Sequence, residues 1–155
     1  MVDQIDRKII AVLQADATLS IQQISERVGL SHTPCWRRIQ RLEEQGIIKG
    51  RVALVEPKAL GLRLSVFVAV STDDHSAAGR ERFVAAVAEM PEAMEIYRMA
   101  GDLDYLLRVV VADMDGYDAF YKRLIERVAV RSITSRFAME AVKTTTAYPV
   151  DTDAR

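Results

Sequence analysis

Residues 20–46, SIQQISERVGLSHTPCWRRIQRLEEQG, hold two short helical patterns that meet at Gly29-Leu30. Ser20, with Gln23 three residues on, has the form of a capping box, and Ile24 and Val28 repeat at helical spacing behind it. Gly29 supplies the turn, because glycine takes the left-handed position after a helix at little cost. Ser31 is placed to cap the second helix. Pro34 falls in its first turn, where a missing N–H breaks no bond. Cys35, Ile39 and Leu42 then share one face, Arg37, Arg38 and Arg41 mostly lie off it, and Gly46 ends the run. Helix, glycine turn and a second helix with exposed arginines is the plan of a helix-turn-helix.

A plain helical hairpin with solvated arginines has the same outline. Three features favour DNA. Between Ser31 and Arg41 there are three arginines and no acid. Ser31, His32, Thr33 and Trp36 stand at the N-terminal end, where a recognition helix meets base edges. Glu43 and Glu44 come only after the helix has moved away from the duplex. The candidate DNA-binding residues are therefore Ser31, His32, Thr33, Trp36, Arg37, Arg38, Gln40 and Arg41. His32 reads either as a phosphate or base contact or as a solvated first-turn residue. Trp36 either packs on the sugar-phosphate backbone or fills the gap between helices.

The 155-residue chain is half apolar, with mean hydropathy near zero and no run approaching a membrane span. Its N-terminus, MVDQIDRK, is acidic and amphipathic and unlike a signal peptide. One cysteine allows no internal disulfide and fits a reducing cytoplasm. Net charge is −1, but it is unevenly spread. Residues 1–60 carry nine Lys/Arg against seven Asp/Glu, and residues 61–155 carry twelve against fifteen. A basic front and an acidic back suit one DNA-facing domain and one with another task.

Upstream, Asp3 caps a first helix striped by Ile5, Ile9, Ile10 and Leu13. Downstream, residues 47–55 form a β-rich stretch, read as a strand or short wing, before a linker turn from Pro57 to Gly61. Lys49 and Arg51 on it are phosphate contacts or ordinary edge charges. Beyond it, Val66, Val68 and Val70, with Phe67 and Ala69 between, predict a strand buried on both faces or nearly so. Phe83, Val84, Val87 and Met90 predict a helix that Pro91 stops. Strands follow from Met94 to Met99 and from Tyr105 to Val111, joined by a hairpin at Gly101-Asp102-Leu103-Asp104. Asp113 opens a helix with Tyr117, Phe120, Tyr121, Leu124, Ile125 and Val128 on one stripe, and a last strand is predicted from Ile133 to Val142. The fold class is thus α+β: a winged-helix-like helix-turn-helix joined by a β linker to a βαββαβ, ferredoxin-like domain. The DNA-binding domain spans residues 1–60, and a ligand-binding and oligomerisation domain spans 61–155. Helices cover one sheet face, and a second copy of the domain is the cheapest cover for the other.

The chain resembles the Lrp/AsnC family of bacterial and archaeal transcription regulators over nearly its whole length. The resemblance rests on Asp3-x-x-Asp6-Arg7-Lys8-Ile9, Gly29-Leu30-Ser31, Thr33-Pro34-Cys35-x-Arg37-Arg38-Ile39 and Arg41-Leu42-Glu43-x-x-Gly46-Ile47-Ile48 in the front half. In the back half it rests on Gly101-x-x-Asp104-Tyr105-Leu106-Leu107 and Met139-Glu140-x-Val142-Lys143. It implies homodimers that assemble further, often to octamers, and an amino-acid effector bound where neighbouring dimers meet. Carried over, Ala100, Gly101, Asp104 and Tyr105 fall on the effector hairpin, with Met114 and Thr134-Ser135-Arg136 beside it. Two departures touch the ligand side: Met99-Ala100 replaces a pair that usually ends in a hydroxyl residue, and Val128-Ala129 replaces a common Pro-Gly. MAGDLDYLLRV and SRFAMEAVK are most similar to a subgroup that responds to cysteine.

The hairpin also has a rationale in its own chemistry. Asp104 can pair an effector's ammonium, and backbone N–H groups near Gly101 can take its carboxylate. Equally, Asp104 can cap its own turn. Little else suggests chemistry. His32 and His75 lie in different domains and cannot share a metal with the single cysteine, which is on an apolar face and reads as a small hydrophobe. No paired carboxylates, Ser-His-Asp order or Gly-rich phosphate loop indicates an enzyme, so neither cofactor nor metal is expected. The alternative to an effector-modulated regulator is an architectural DNA-coating protein that shares every DNA feature and lacks the effector.

Overall fold

Asp3 starts the first helix as expected, and by an unusually reciprocal cap. The structure, a computed structural model, describes residues 2–152. In it the Asp3 carboxylate accepts the Asp6 N–H at 2.8 Å, and the Asp6 carboxylate accepts the Asp3 N–H at 3.1 Å. Helix α1 then runs Gln4–Ala15, α2 Ile21–Val28 and α3 His32–Glu44. Ser20 and Gln23 form the expected capping box. Gly29 takes φ 71°, which lets the Leu30 N–H close the end of α2 on the Ser25 carbonyl at 2.9 Å. Ser31 occupies the N-cap position of α3, but its hydroxyl makes no capping hydrogen bond and is left exposed. Ile9, Leu13, Ile24, Val28, Cys35, Ile39 and Leu42 make the core of this unit. Each contributes about 1.5–3 kcal/mol by leaving water, against a comparable loss of chain entropy.

Two features of this unit depart from the sequence reading. Residues 47–55 form no strand: Val52, Leu54 and Val55 are exposed, and no strand among the described residues pairs with them. Only the turn from Pro57 to Gly61 appears, as a short 3-10 helix (Pro57–Leu60) with Gly61 at φ 77°. In addition, residues 142–152 group with residues 2–54, and residues 55–141 form the second compact unit. The tail lies along α1, where the Tyr148 N–H donates to Gln14 Oε1 at 2.7 Å and Gln14 Nε2 donates to the Tyr148 carbonyl at 3.1 Å. Gln4 Nε2 likewise donates to the Thr152 carbonyl at 3.1 Å. Backbone-directed bonds of this kind leave little trace in a sequence pattern.

The second unit is βαββαβ: β1 (Leu64–Ser71), α4 (Ala77–Ala88), β2 (Ala93–Arg98), β3 (Tyr105–Val111), α5 (Met114–Arg127) and β4 (Ser132–Phe137). The sheet order is β2-β3-β1-β4, and every neighbouring pair is antiparallel. Val66, Val68, Val70, Leu107 and Val109 cluster with Phe83, Val87, Phe120 and Leu124 from the two helices. The alternate residues face the other way, and Phe67 is 39% exposed. Strand β1 is thus buried on one face only, since none of the described residues of its unit covers the second. Strand β4 also stops five residues short of the expected Val142. Ala138 bonds back to the Ser65 carbonyl, and there β1, its one neighbour in the sheet, runs out.

Candidate functional site

The N-terminal half of α3 presents His32, Thr33, Trp36 and Arg37 to solvent, beside the exposed Ser31. Trp36 is 46% exposed, so it does not fill the gap between helices. Arg38 and Arg41 are held differently from their neighbours. Asp6, fully buried on α1, accepts from Arg38 Nη1 at 2.8 Å and from Arg41 Nη2 at 2.6 Å, and Asp3 adds a second contact to Arg38 at 2.6 Å. The Arg38 guanidinium accordingly holds the Asp3 carboxyl below its ordinary range. These two arginines fasten α3 to α1 and keep part of their guanidinium surface open, with side chains 28% and 44% exposed. Arg37 has no acid partner among the described residues. Gln40 is half-buried and turned to Glu43, and Arg51 pairs with Glu43 at 2.8 Å. Cys35 is wholly buried, and burial pushes its thiol up, away from reactive thiolate.

Spacing alone could not separate Arg37 from Arg38. The signal for the difference was Asp6, whose place at the third position of α1 serves the cap and the clamp together.

At the other unit, residues 99–104 link β2 to β3, and the Met99 N–H bonds the Asp104 carbonyl at 2.8 Å. Gly101 takes φ 123°, a conformation that L side chains rarely adopt, and Ala100 beside it is exposed. Asp104 does not cap its own hairpin. Its Oδ2 accepts the Thr72 N–H at 2.7 Å and the Thr72 hydroxyl at 3.2 Å, and its Oδ1 lies 3.4 Å from His75 Nδ1. The Thr72 N–H, above all, holds the Asp104 carboxyl below its usual value, aided by His75 and Arg131. Tyr105 is buried and stacks on Phe83 with ring centroids 4.0 Å apart, so it belongs to the core.

The remaining expected effector residues are not gathered there. Met114 lies past the opposite end of β3, roughly 20 Å of strand from the hairpin at about 3.4 Å per residue. Thr134 and Arg136 are on the uncovered sheet face, at positions paired with Ala69 and Phe67 of β1. The hydroxyl of Ser135 points the other way and bonds that of Tyr117. What the chain does assemble beside the hairpin is a small cleft lined by Thr72, Asp74, His75, Arg80, Arg98, Met99, Asp104 and Tyr105. Of these Asp104 and Tyr105 were in the effector set read from the sequence, and Thr72 and His75 were not, because the β1–α4 turn that brings them has no motif. Among the described residues no cluster of His, Cys, Asp and Glu could hold a metal.

Residues 2–49 match the winged helix-turn-helix DNA-binding family, and residues 65–148 match the Lrp/AsnC ligand-binding domain. The DNA-binding transcriptional activator DecR of Escherichia coli K12 is 52% identical over 97% of this chain and 100% of its own length. The chain belongs to the Lrp/AsnC family. An AsnC family transcriptional regulator from Agrobacterium tumefaciens superposes with a TM-score of 0.93 at 51% identity, covering 98% of this chain and 99% of that one. A transcriptional regulator of Neisseria meningitidis in complex with L-methionine superposes at 0.90 with 35% identity, covering 97% and 98%. As an Lrp/AsnC protein the chain is a DNA-binding transcriptional regulator with a ligand-binding domain, and not an enzyme. No helix among its described residues is long and apolar enough to cross a membrane.

Proposed function

We propose that this Lrp/AsnC chain regulates genes of amino-acid metabolism from the cytoplasm, gripping DNA with α3 and switched by a small amino acid at the Gly101–Asp104 hairpin. The observation that carries the DNA half is the one-signed start of α3: Arg37 projects freely while Arg38 and Arg41 are braced from below on Asp6. Bracing reduces the side-chain entropy lost on contact and leaves outward N–H groups for phosphate. Ser31, His32, Thr33 and Trp36 are then the base-side contacts.

The effector half is supported by the cleft beside the hairpin and by the L-methionine complex of the Neisseria regulator. We read the protein as a homodimer closed over the uncovered sheet face around Phe67 and assembling further to an octamer. Met114 joins an effector only from a neighbouring copy, since its own chain places it past the far end of β3 from the hairpin, while Thr134 and Arg136 meet one across the uncovered sheet face. Cysteine, to which the hairpin's sequence relatives pointed, is the first amino acid to try. A thermal-shift screen of the full chain against the twenty amino acids tests the sensor reading, because a ligand selective for the folded state raises its melting temperature. Stabilisation by one or a few is expected. Stabilisation by none would leave the architectural DNA-binding reading in its place.

A further inference from the structure

The cleft beside the hairpin is polar, and the charges in it are unequally engaged. It is lined by two carboxylates and three basic groups: Asp74 and Asp104 against His75, Arg80 and Arg98. Both carboxylates already have partners. Asp104 holds the N–H and hydroxyl of Thr72. Asp74 accepts the Ser76 N–H at 3.0 Å and pairs with Arg82 at 2.7 Å, and both neighbours keep its pKa low. The guanidiniums are free of acids. The Arg80 side chain donates only to the backbone carbonyl of His75, and the Arg98 side chain has no hydrogen bond or ion pair among the described residues. A lone surface arginine is ordinarily solvated and means nothing. With Asp74 paired to Arg82, two guanidiniums converge on one concavity against the single carboxylate of Asp104, and the remaining positive charge attracts an anion.

We infer that this cleft is a carboxylate subsite of the effector, with Arg98 and Arg80 as its ligands and Asp104 as the residue that positions the wall. The inference rests on the sensor reading and specifies it. Asp104 Oδ2 is then committed to the N–H and hydroxyl of Thr72, while Oδ1 faces His75 Nδ1 at 3.4 Å. Its task is to tie the β1–α4 turn, which carries His75 and leads to Arg80, to the hairpin that follows Arg98. The arginine fork matches a carboxylate in a bidentate, charge-assisted geometry. The carboxylate belongs either to the α-carbon of the amino acid or to its side chain, and the two sources are separable by experiment.

Calorimetric titration of the full chain with L-cysteine, L-methionine, L-leucine and L-glutamate, and with L-methioninamide, makes the test, on wild type, Arg98→Ala, Arg80→Ala and Arg98→Lys. Loss of one charge-assisted arginine contact weakens binding about ten- to a hundredfold. Arg98→Lys, which keeps the charge and loses the fork, falls between. If Arg98→Ala weakens every amino acid and wild type ignores the amide, the subsite holds the α-carboxylate. If it weakens L-glutamate alone, the subsite holds a side-chain carboxylate. Arg98 is exposed on the end of β2, so its loss leaves the melting temperature and DNA binding without ligand unchanged. Wild-type affinity for the best of the four in both Arg98→Ala and Arg80→Ala overturns the subsite and leaves the sensor reading standing. Failure of all four to bind the wild type overturns the two together.

Discussion

Asp6→Asn is the substitution that most exposes how the reading head is held. It keeps the volume of the side chain, so no cavity term enters. It removes the one negative charge at a wholly buried position that faces two guanidiniums at 2.8 and 2.6 Å, and turns amide N–H groups toward donors. Breaking a buried ion pair from one side costs about 3–5 kcal/mol. Here the arginine side chains remain 28% and 44% exposed, which moves the figure to about 3 kcal/mol. A unit of this size has a stability of only about 5 kcal/mol, and each lost kcal/mol lowers its melting temperature by about 4–8 °C. The helical unit of Asp6→Asn is thus expected to melt roughly 12–24 °C below wild type, followed by circular dichroism, with DNA affinity falling alongside. Arg38→Glu, which sets a second acid against Asp6, is expected to do the same and so reports on folding before DNA contact. Melting of Asp6→Asn within about 2 °C of wild type would refute the clamp.

Three further outcomes follow from the same contacts. Arg37→Ala should leave the melting temperature unchanged, weaken DNA binding and reduce the slope of log K against log salt by about one, as measured by fluorescence anisotropy across a salt series. Asp104 has its pKa lowered in the folded state, so the stability it adds is present above its unfolded value of about 4 and lost as pH falls through the lower folded value. Melts of Asp104→Asn between neutral and acid pH should therefore be less stable than wild type at pH 7 and converge with it in acid; an unchanged gap across that range would contradict the Thr72 clamp. Gln14→Ala removes both bonds that hold the tail at Tyr148, each exposed and worth about 0.5–1.5 kcal/mol, so amide exchange near Tyr148 should accelerate while the second unit is unaffected.

Legibility of this chain followed the range of the interactions. Local ones were readable: the capping boxes at Asp3 and Ser20, the glycine turn at Gly29 and the apolar stripe of Cys35, Ile39 and Leu42 each depend on residues a few positions apart. The βαββαβ order was readable for the same reason, from the apolar run of β1 and the stripe of α5. Non-local choices were not. Nothing in the pattern of residues 47–55 shows whether a strand partner exists in the same chain, and none does among the described residues. Arg38 and Arg37 are equivalent until α1 brings Asp6 beneath one of them. Asp104 looked like a turn cap or an ammonium partner, whereas its carboxylate reaches 32 residues back to Thr72. His75, Arg80 and Arg98 join it only because the β1–α4 turn and the β2–β3 hairpin meet at one end of the sheet.

The account as a whole rests on an amino acid altering the grip of α3 on DNA. The direct measurement is DNA affinity of the full chain by fluorescence anisotropy, with and without a saturating concentration of the amino acid that most raises its melting temperature. Because an effector acts only through its different affinity for two states, a coupled system is expected to shift Kd by about fivefold or more, in either direction. An amino acid that binds the protein in calorimetry while the DNA Kd stays the same at every salt concentration would contradict the account.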